Sequence, residues 1–323
     1  MTIDVYVHQN LVKSFISKML KVEEMVVENV VKTFDKDKES TEDDIRTIQK
    51  WINEQPHFLQ PLERRSITNF LILNKFSIEK TKQKIDNYYT TRTKLEEIYK
   101  EITPKFSSFV QEFTQIAYFL AHPQLLDYNR VYFFKIRNPD LTEQLDNYVM
   151  ARYLVACQEI RLRHDVMNGD IFVVDCKHLP SSFFLKLTPT FLYKFVFMIY
   201  QQIYSIRMKA VYVINFPSFG ETLVKIVKTV IKRKIFERIH FLSEGSLINE
   251  KFPEDFLPVD FGGKGISLEK LQEIADLEFE QYLNLFDYNY LGKFKVDENL
   301  RPAKLENDEM LGFHGNFKKL NID

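Results

Sequence analysis

Two short runs, Ile171-Phe172-Val173-Val174 and Val211-Tyr212-Val213-Ile214, constrain the fold more than any other feature of this chain. Each is apolar at consecutive positions rather than at alternate ones. Successive side chains of a strand point to opposite faces, so an unbroken apolar run needs cover on both. Helix-compatible stretches lie around them: Leu145–Arg163, Phe183–Tyr204 with a break and restart at Thr188-Pro189, and Thr222–Lys234. Val131–Ile136 reads as an earlier strand, Arg238–Phe241 as a later one, and Leu268–Phe286 as a last helix. Strands alternating with helices predict an α/β domain with a largely parallel sheet.

The N-terminal third carries the helical period instead. Leu11, Phe15, Met19, Val22, Val26 and Val30 form one apolar stripe, which the polar run Asp35–Glu39 breaks. Thr41 with Asp44 resembles a capping box that opens a second helix bearing Ile45, Ile48, Trp51 and Ile52 before Pro56. Two more helices fit Leu62–Asn74 and Ile78–Arg92. Short polar links between them predict a small helical bundle. The expected division is an N-terminal helical extension at 1–40, a helical domain at 41–104, an α/β domain at 105–290 and a polar, mixed-charge tail at 291–323.

With 323 residues, 45% of them hydrophobic and 29 of them Phe, the chain can hold a large core or an internal apolar cavity. A net charge of −1 gives no global attraction to nucleic acid, so none is expected as a partner and any electrostatic role belongs to a local patch. Two cysteines, Cys157 and Cys176, make no disulfide framework and match no metal motif, which fits a reducing compartment. Asp4 stands where a secretory signal would be basic, and Lys13, Lys18 and Lys21 interrupt the apolar residues that follow. The longest uninterrupted apolar run, Phe195 to Tyr200, is far short of the roughly 20 residues that span a bilayer. A cytoplasmic protein with transient, peripheral membrane association is the expectation.

Catalytic chemistry is sparse. None of the seven histidines pairs at metal-ligand spacing, and neither a glycine-rich phosphate loop nor a nucleophile elbow occurs. Asp175 sits at a strand end and His164-Asp165 at a helix end, each without a nucleophile beside it. No enzyme, metal or cofactor is expected.

The stretch after the second apolar strand is more telling. Leu223, Val227, Val230 and Ile231 share one helix face, and Lys225, Lys228 and Lys232 another, with Lys234 and Arg238 extending the charge. Such a helix can lay its apolar face over a cavity or into lipid while its lysines meet anionic head groups. An ordinary surface helix with a solvated lysine face shows the same pattern.

The ordered segments Val-Ile-Asn-Phe-Pro (213–217), Lys-Ile-Phe-Glu-Arg-Ile-His (234–240) and Leu-Pro-Val-Asp-Phe-Gly-Gly (257–263) resemble the CRAL-TRIO lipid-binding family, in particular its animal branch of tocopherol and retinaldehyde carriers. Trp51 to His57, Asn69 to Ser77 and Asn87 to Arg92 are similar to that family's helical domain, and Gly315 to Leu320 to the ending of many such carriers. The resemblance spans roughly 41–320. It implies a mixed, mostly parallel sheet, flanked by helices and flooring an apolar pocket, that a mobile gate helix, here at about 218–232, closes with Leu223, Ile226, Val227 and Val230 toward the ligand. Asn215 and Pro217 match the strand-to-gate turn. Several family members also bind phosphoinositide head groups in a basic cleft, and the matching positions are Arg207, Lys209 and Lys234. The family commonly has arginines where this chain has Asn69, Ile72 and Asn74, which removes positive charge from the helical domain and counts against phosphoinositide selectivity.

The expected function is therefore a monomeric, non-enzymatic carrier of a hydrophobic small molecule (tocopherol, retinoid, carotenoid or other terpenoid). It would move its ligand between membranes, with phosphoinositide-triggered release at an anionic membrane surface. Further wall candidates are Val149, Tyr153, Ala156 and Ile160 on one helix stripe, Phe172 and Val174 on a strand, and Phe191, Phe195, Ile199, Ile203 and Val211. Plain core packing explains each of these singly as well as ligand contact does. The rivals are a phospholipid- or phosphoinositide-binding signalling or scaffold module without transfer, and an enzyme acting on lipids.

Overall fold

The fold is taken from a computed structural model, which describes residues 24–95, 98–99, 106–217, 220–230, 233–242, 244–282 and 294–302. Helices α1 (Glu24–Lys32), α2 (Lys38–Asn53), α3 (Arg64–Leu73), α4 (Ile78–Lys94) and α5 (Phe106–Ile116) lead into the sheet. The sheet is β1 (Ala117–Ala121), β2 (Asn129–Ile136), β3 (Gly169–Asp175), β4 (Met208–Ile214) and β5 (Ile239–Phe241), in that spatial order. β1 pairs antiparallel with β2, and every later pair is parallel. The crossovers carry α6 (Asn147–His164), α7 (Ser181–Lys186), α8 (Pro189–Leu192), a π-helix (Tyr193–Ile203), α9 (Glu221–Val230) and α10 (Arg233–Phe236). The last described helix is α11 (Leu268–Tyr282). Among the described residues, no helix is long and apolar enough to cross a membrane.

The continuous apolar strands are explained by two cores, one on each face of the sheet. Tyr132, Phe134 and Phe172 bury against α6 and the π-helix, while Val131, Phe133, Val173 and Ile214 bury against α11 and the turns at 245–261. Phe133 and Val173 are fully inaccessible, and burying a side chain of that size contributes about 1.5–3 kcal/mol.

Local signals mostly set the helix boundaries. Asp146 caps α6 by accepting from the amides of Tyr148 and Val149, and Arg161, Arg163 and His164 occupy its last turn, where the helix dipole favours cations. Thr188 caps α8 through the Phe191 amide, with Pro189 in the first turn. The expected start of α2 needs correcting. Its cap is Asp37, which accepts from Ser40 N while the Ser40 hydroxyl faces the Asp37 amide. Thr41 is instead buried inside the helix. Much of the stripe that begins at Leu11, the Phe286 end of the last helix, and the segment 315–320 lie outside the described residues.

A late segment returns to the helical region. Val296 bridges Phe58, Asp297 N donates to His57 O (2.9 Å), and Arg301 pairs with Asp86 (2.9 Å). Phe294 is buried against Tyr88 and Tyr89. This strap draws residues 294–301 across α4.

Candidate functional site

The expected wall residues all fall within one apolar core, a layer that continues into the helical region. Val149, Tyr153, Ala156 and Ile160 on α6, Phe172 on β3, Phe191 on α8, and Phe195, Ile199 and Ile203 on the π-helix are all buried in a single cluster. Val174 and Val211 are half-buried against it. Tyr153 turns toward the helices, stacked on Phe113 of α5 at 4.2 Å and near Phe279 of α11 at 5.3 Å. An aromatic file crosses the sheet beneath this layer: Phe119–Tyr132 (5.1 Å), Tyr132–Phe172 (5.4 Å), Phe172–Tyr200 (6.4 Å) and Tyr200–Phe195 (5.1 Å). Sequence reasoning missed Phe119, Tyr132 and Tyr200. The register Tyr132↔Phe172 brings the middle of the file together, and strand pairing is not visible in a single segment.

On α9 the structure describes one residue of the expected apolar face and two of the expected basic face. Val227 is half-buried, and Lys225 and Lys228 are exposed. The side chains of Leu223, Ile226 and Val230, and the residues Ile231 and Lys232, fall outside the described set.

Charged pairs border the apolar layer at the start of the parallel strands. Arg161 meets Asp170 at 2.7 Å and lies over the Tyr132 ring, while Arg130 donates to Asp165 at 2.8 Å. Burial pushes the Asp170 carboxyl up to about 6, even though Arg161 pulls it down.

Beside these pairs opens a cleft of about 390 Å³ between the helical region and the sheet. Arg207, Lys209 and Lys234, the three positions expected to hold an anionic head group, all line it. So do Lys75, Lys80, Lys84 and Arg238, and among the described residues none that lines it is acidic. Burial lowers the Lys209 pKa first, and Arg207, Arg238 and Lys75 lower it further. Burial and Arg238 do the same to Arg207, whose guanidinium lies 5.3 Å over the Phe34 ring. The cluster is thus self-repelling, and an anion placed among these cations would relieve it.

Asn69, Ile72 and Asn74 leave the expected arginine positions without charge, and other residues of the helical region bring positive charge to the cleft. Lys75 lies just beyond α3, and Lys80 and Lys84 belong to α4, so all three supply it from that side of the cleft. The residues standing in place of arginines do other work. Asn69 Nδ2 donates to Leu162 O (2.9 Å) and Asp165 O (2.7 Å), closing carbonyls at the end of α6. Ile72 is fully buried, and Asn74 Nδ2 donates to Phe70 O and Ser205 Oγ. A 3.6-residue spacing would have put Lys80 and Lys84 on one face of α4 from sequence alone, but not that this face meets Arg207.

Residues 122–263 match the CRAL/TRIO domain, and residues 37–109 match the Pinta-like UBA domain. The chain is similar to the human and mouse proteins described as alpha-tocopherol transfer protein-like, at 26% identity over 237 residues. That similarity covers 70% of this chain and 66% of each relative, so the chain spans slightly less than two thirds of their length. Among solved structures it is similar to Sfh5, with a TM-score of 0.44 and 16% identity over 64% of this chain and 74% of that one.

Proposed function

On the premise that this chain belongs to the CRAL/TRIO family of lipid-binding proteins, we propose that it carries a neutral hydrophobic small molecule and delivers it to anionic membranes. The observation that carries this is the convergence of α6, β3, the π-helix and β4 on one apolar layer, adjoining a helix whose described face splits into Val227 inward and lysines outward. The ligand lies against α6 and the aromatic file, under α9 as the gate. Stripping water from it contributes at about 25 cal/mol per Å² of apolar area, so few polar contacts are needed. No catalytic step is part of this role.

The cleft supplies the membrane step. Cations of α10 and of the segments flanking it line the cleft, and α10 directly follows the gate, so a phosphorylated head group bound there favours gate opening by its higher affinity for the open state. A signalling module that senses a phosphoinositide without transferring a ligand would use the same cleft, and the absence of acids in it favours that as the second reading.

Mass spectrometry of solvent extracts from natively purified protein tests the carrier. A stoichiometric apolar compound is expected, and it should be lost in Val227→Asp while the unfolding midpoint stays near wild type. A charge set against apolar ligand costs several kcal/mol. Equal retention in both proteins would remove α9 as the gate, and extracts with no bound compound from wild type would leave the sensing reading.

A further inference from the structure

The Leu-Pro-Val-Asp-Phe-Gly-Gly loop lies on the far side of the sheet from the apolar layer, and a chain of side chains joins it to the start of the gate. Lys135, near the end of β2, donates from Nζ to the backbone oxygen of Asp260 (3.0 Å) and sits 5.1 Å over the Phe261 ring. The same ammonium stands 3.4 Å from Oδ2 of Asp175, the buried carboxylate at the end of β3. Oδ1 of Asp175 accepts from Asn215 Nδ2 at 2.7 Å and from the Lys177 amide at 2.9 Å.

Asn215 is the residue after β4 and holds a left-handed backbone, φ +53°. Asparagine tolerates that region better than most residues, but a residue held there at a functional turn stores strain that its neighbours must hold in place. Its neighbours are close. A Cβ on Gly245 would lie 3.3 Å from Asn215 Oδ1, and one on Gly220 would overlap the Phe216 ring. Phe216 in turn packs against Phe241 at 4.8 Å and Phe184 at 6.3 Å. Asn215 and Phe216, the two residues that leave β4, are therefore gripped by a polar pin on one side and by rings on the other.

We propose that Lys135 and Asp175 are positioning residues that hold Asn215 in its left-handed turn, and so hold the gate helix shut from the loop at 257–263. The inference rests on reading α9 as the gate. It assigns Lys135 a role although none of its contacts given above is to a residue of α9: the ammonium orders Asp175, Asp175 orders Asn215, and Asn215 opens the segment that follows β4. A hydrogen bond to a charged group is stronger than a neutral one, and Asp175 keeps two such donors only while its carboxylate is held in place.

Hydrogen exchange of ligand-free protein without vesicles tests this directly. Lys135→Met keeps the stem over Phe261 and removes the charge, while Asn215→Gly keeps the backbone geometry at no steric cost and removes the pin. Exchange across residues 221–230 should speed roughly tenfold in each, with β2 and β3 unchanged. The double variant should be no faster than the faster single one, because both act on the same relay. Wild-type exchange at 221–230 in Lys135→Met, or additive effects in the double variant, would overturn the proposal. Ligand retention is measured separately, so a chain that carries nothing but still shows the coupled exchange would sink the carrier and leave the relay standing.

Discussion

At the scale of single residues, Glu159 is the most consequential side chain outside the candidate site. Its carboxylate accepts from Arg92 Nη1, Arg163 Nη1 (2.7 Å), Tyr88 OH (3.0 Å) and Tyr204 OH (2.5 Å), and all five residues are buried. Burial alone would push this carboxyl up, but Arg92 and Arg163 more than reverse that and hold it below the usual range. The group joins α4 of the helical region, α6, and the residue that follows the π-helix. Replacing Glu159 with Gln should cost about 3–5 kcal/mol, because two buried guanidinium groups then lack a counter-charge. The urea midpoint reads this out, and an unchanged midpoint would show that water reaches the two arginines. Only part of this was legible in the sequence. Glu159 and Arg163 are four apart on one helix, a pair that spacing reveals, whereas Arg92 and Tyr204 arrive from 67 and 45 residues away.

At the scale of elements, legibility followed how locally each element is determined. β3 and β4 announce themselves because both faces are covered, and α8 because Thr188-Pro189 is a start signal in itself. α5 and β1 went unread. Phe106–Ile116 runs into Ala117–Ala121 with no breaking residue between, and only pairing with β2 turns the second part into a strand. The π-helix reads as ordinary helix from its apolar residues, and π winding, which is rare, is not a property of side-chain spacing. The short helix α7 adds a prediction here. Leu185 is 80% exposed on it, with Lys186 next in line, on the segment leading to α8 beside α9. A lone exposed leucine needs no explanation in a monomer, but at a membrane it would bury its side chain among acyl tails. Leu185→Ser should weaken binding to anionic vesicles roughly tenfold, an upper figure from the transfer energy of a leucine side chain, and leave the thermal midpoint alone. Equal vesicle binding would place the docking face elsewhere.

At the scale of the whole molecule, the cleft is a property of the way two regions meet. Neither the helical region nor the α/β region holds the full set of cations, so neither segment read alone shows the cleft. Arg207, Lys209 and Lys234 replaced together by alanine should slow ligand transfer to anionic vesicles and leave transfer to neutral ones and binding in solution nearly intact. Each cation near such a surface contributes about 1 kcal/mol. The deficit should shrink with salt, since the Debye length falls from about 10 Å at 0.1 M to about 3 Å at 1 M. Equal transfer to both vesicle types would reduce these charges to a solubility role.

The strap at 294–301 bears on how the molecule is made. Its partners Phe58, Tyr88 and Asp86 leave the ribosome more than 200 residues before it does. At about 5–20 residues per second, the helical region spends some 10–40 s in the cell with the seat of Phe294 uncovered. The nascent helical region therefore presents an aromatic surface in search of cover for most of its synthesis, and a chaperone that recognises such surfaces would meet this chain early and leave it late.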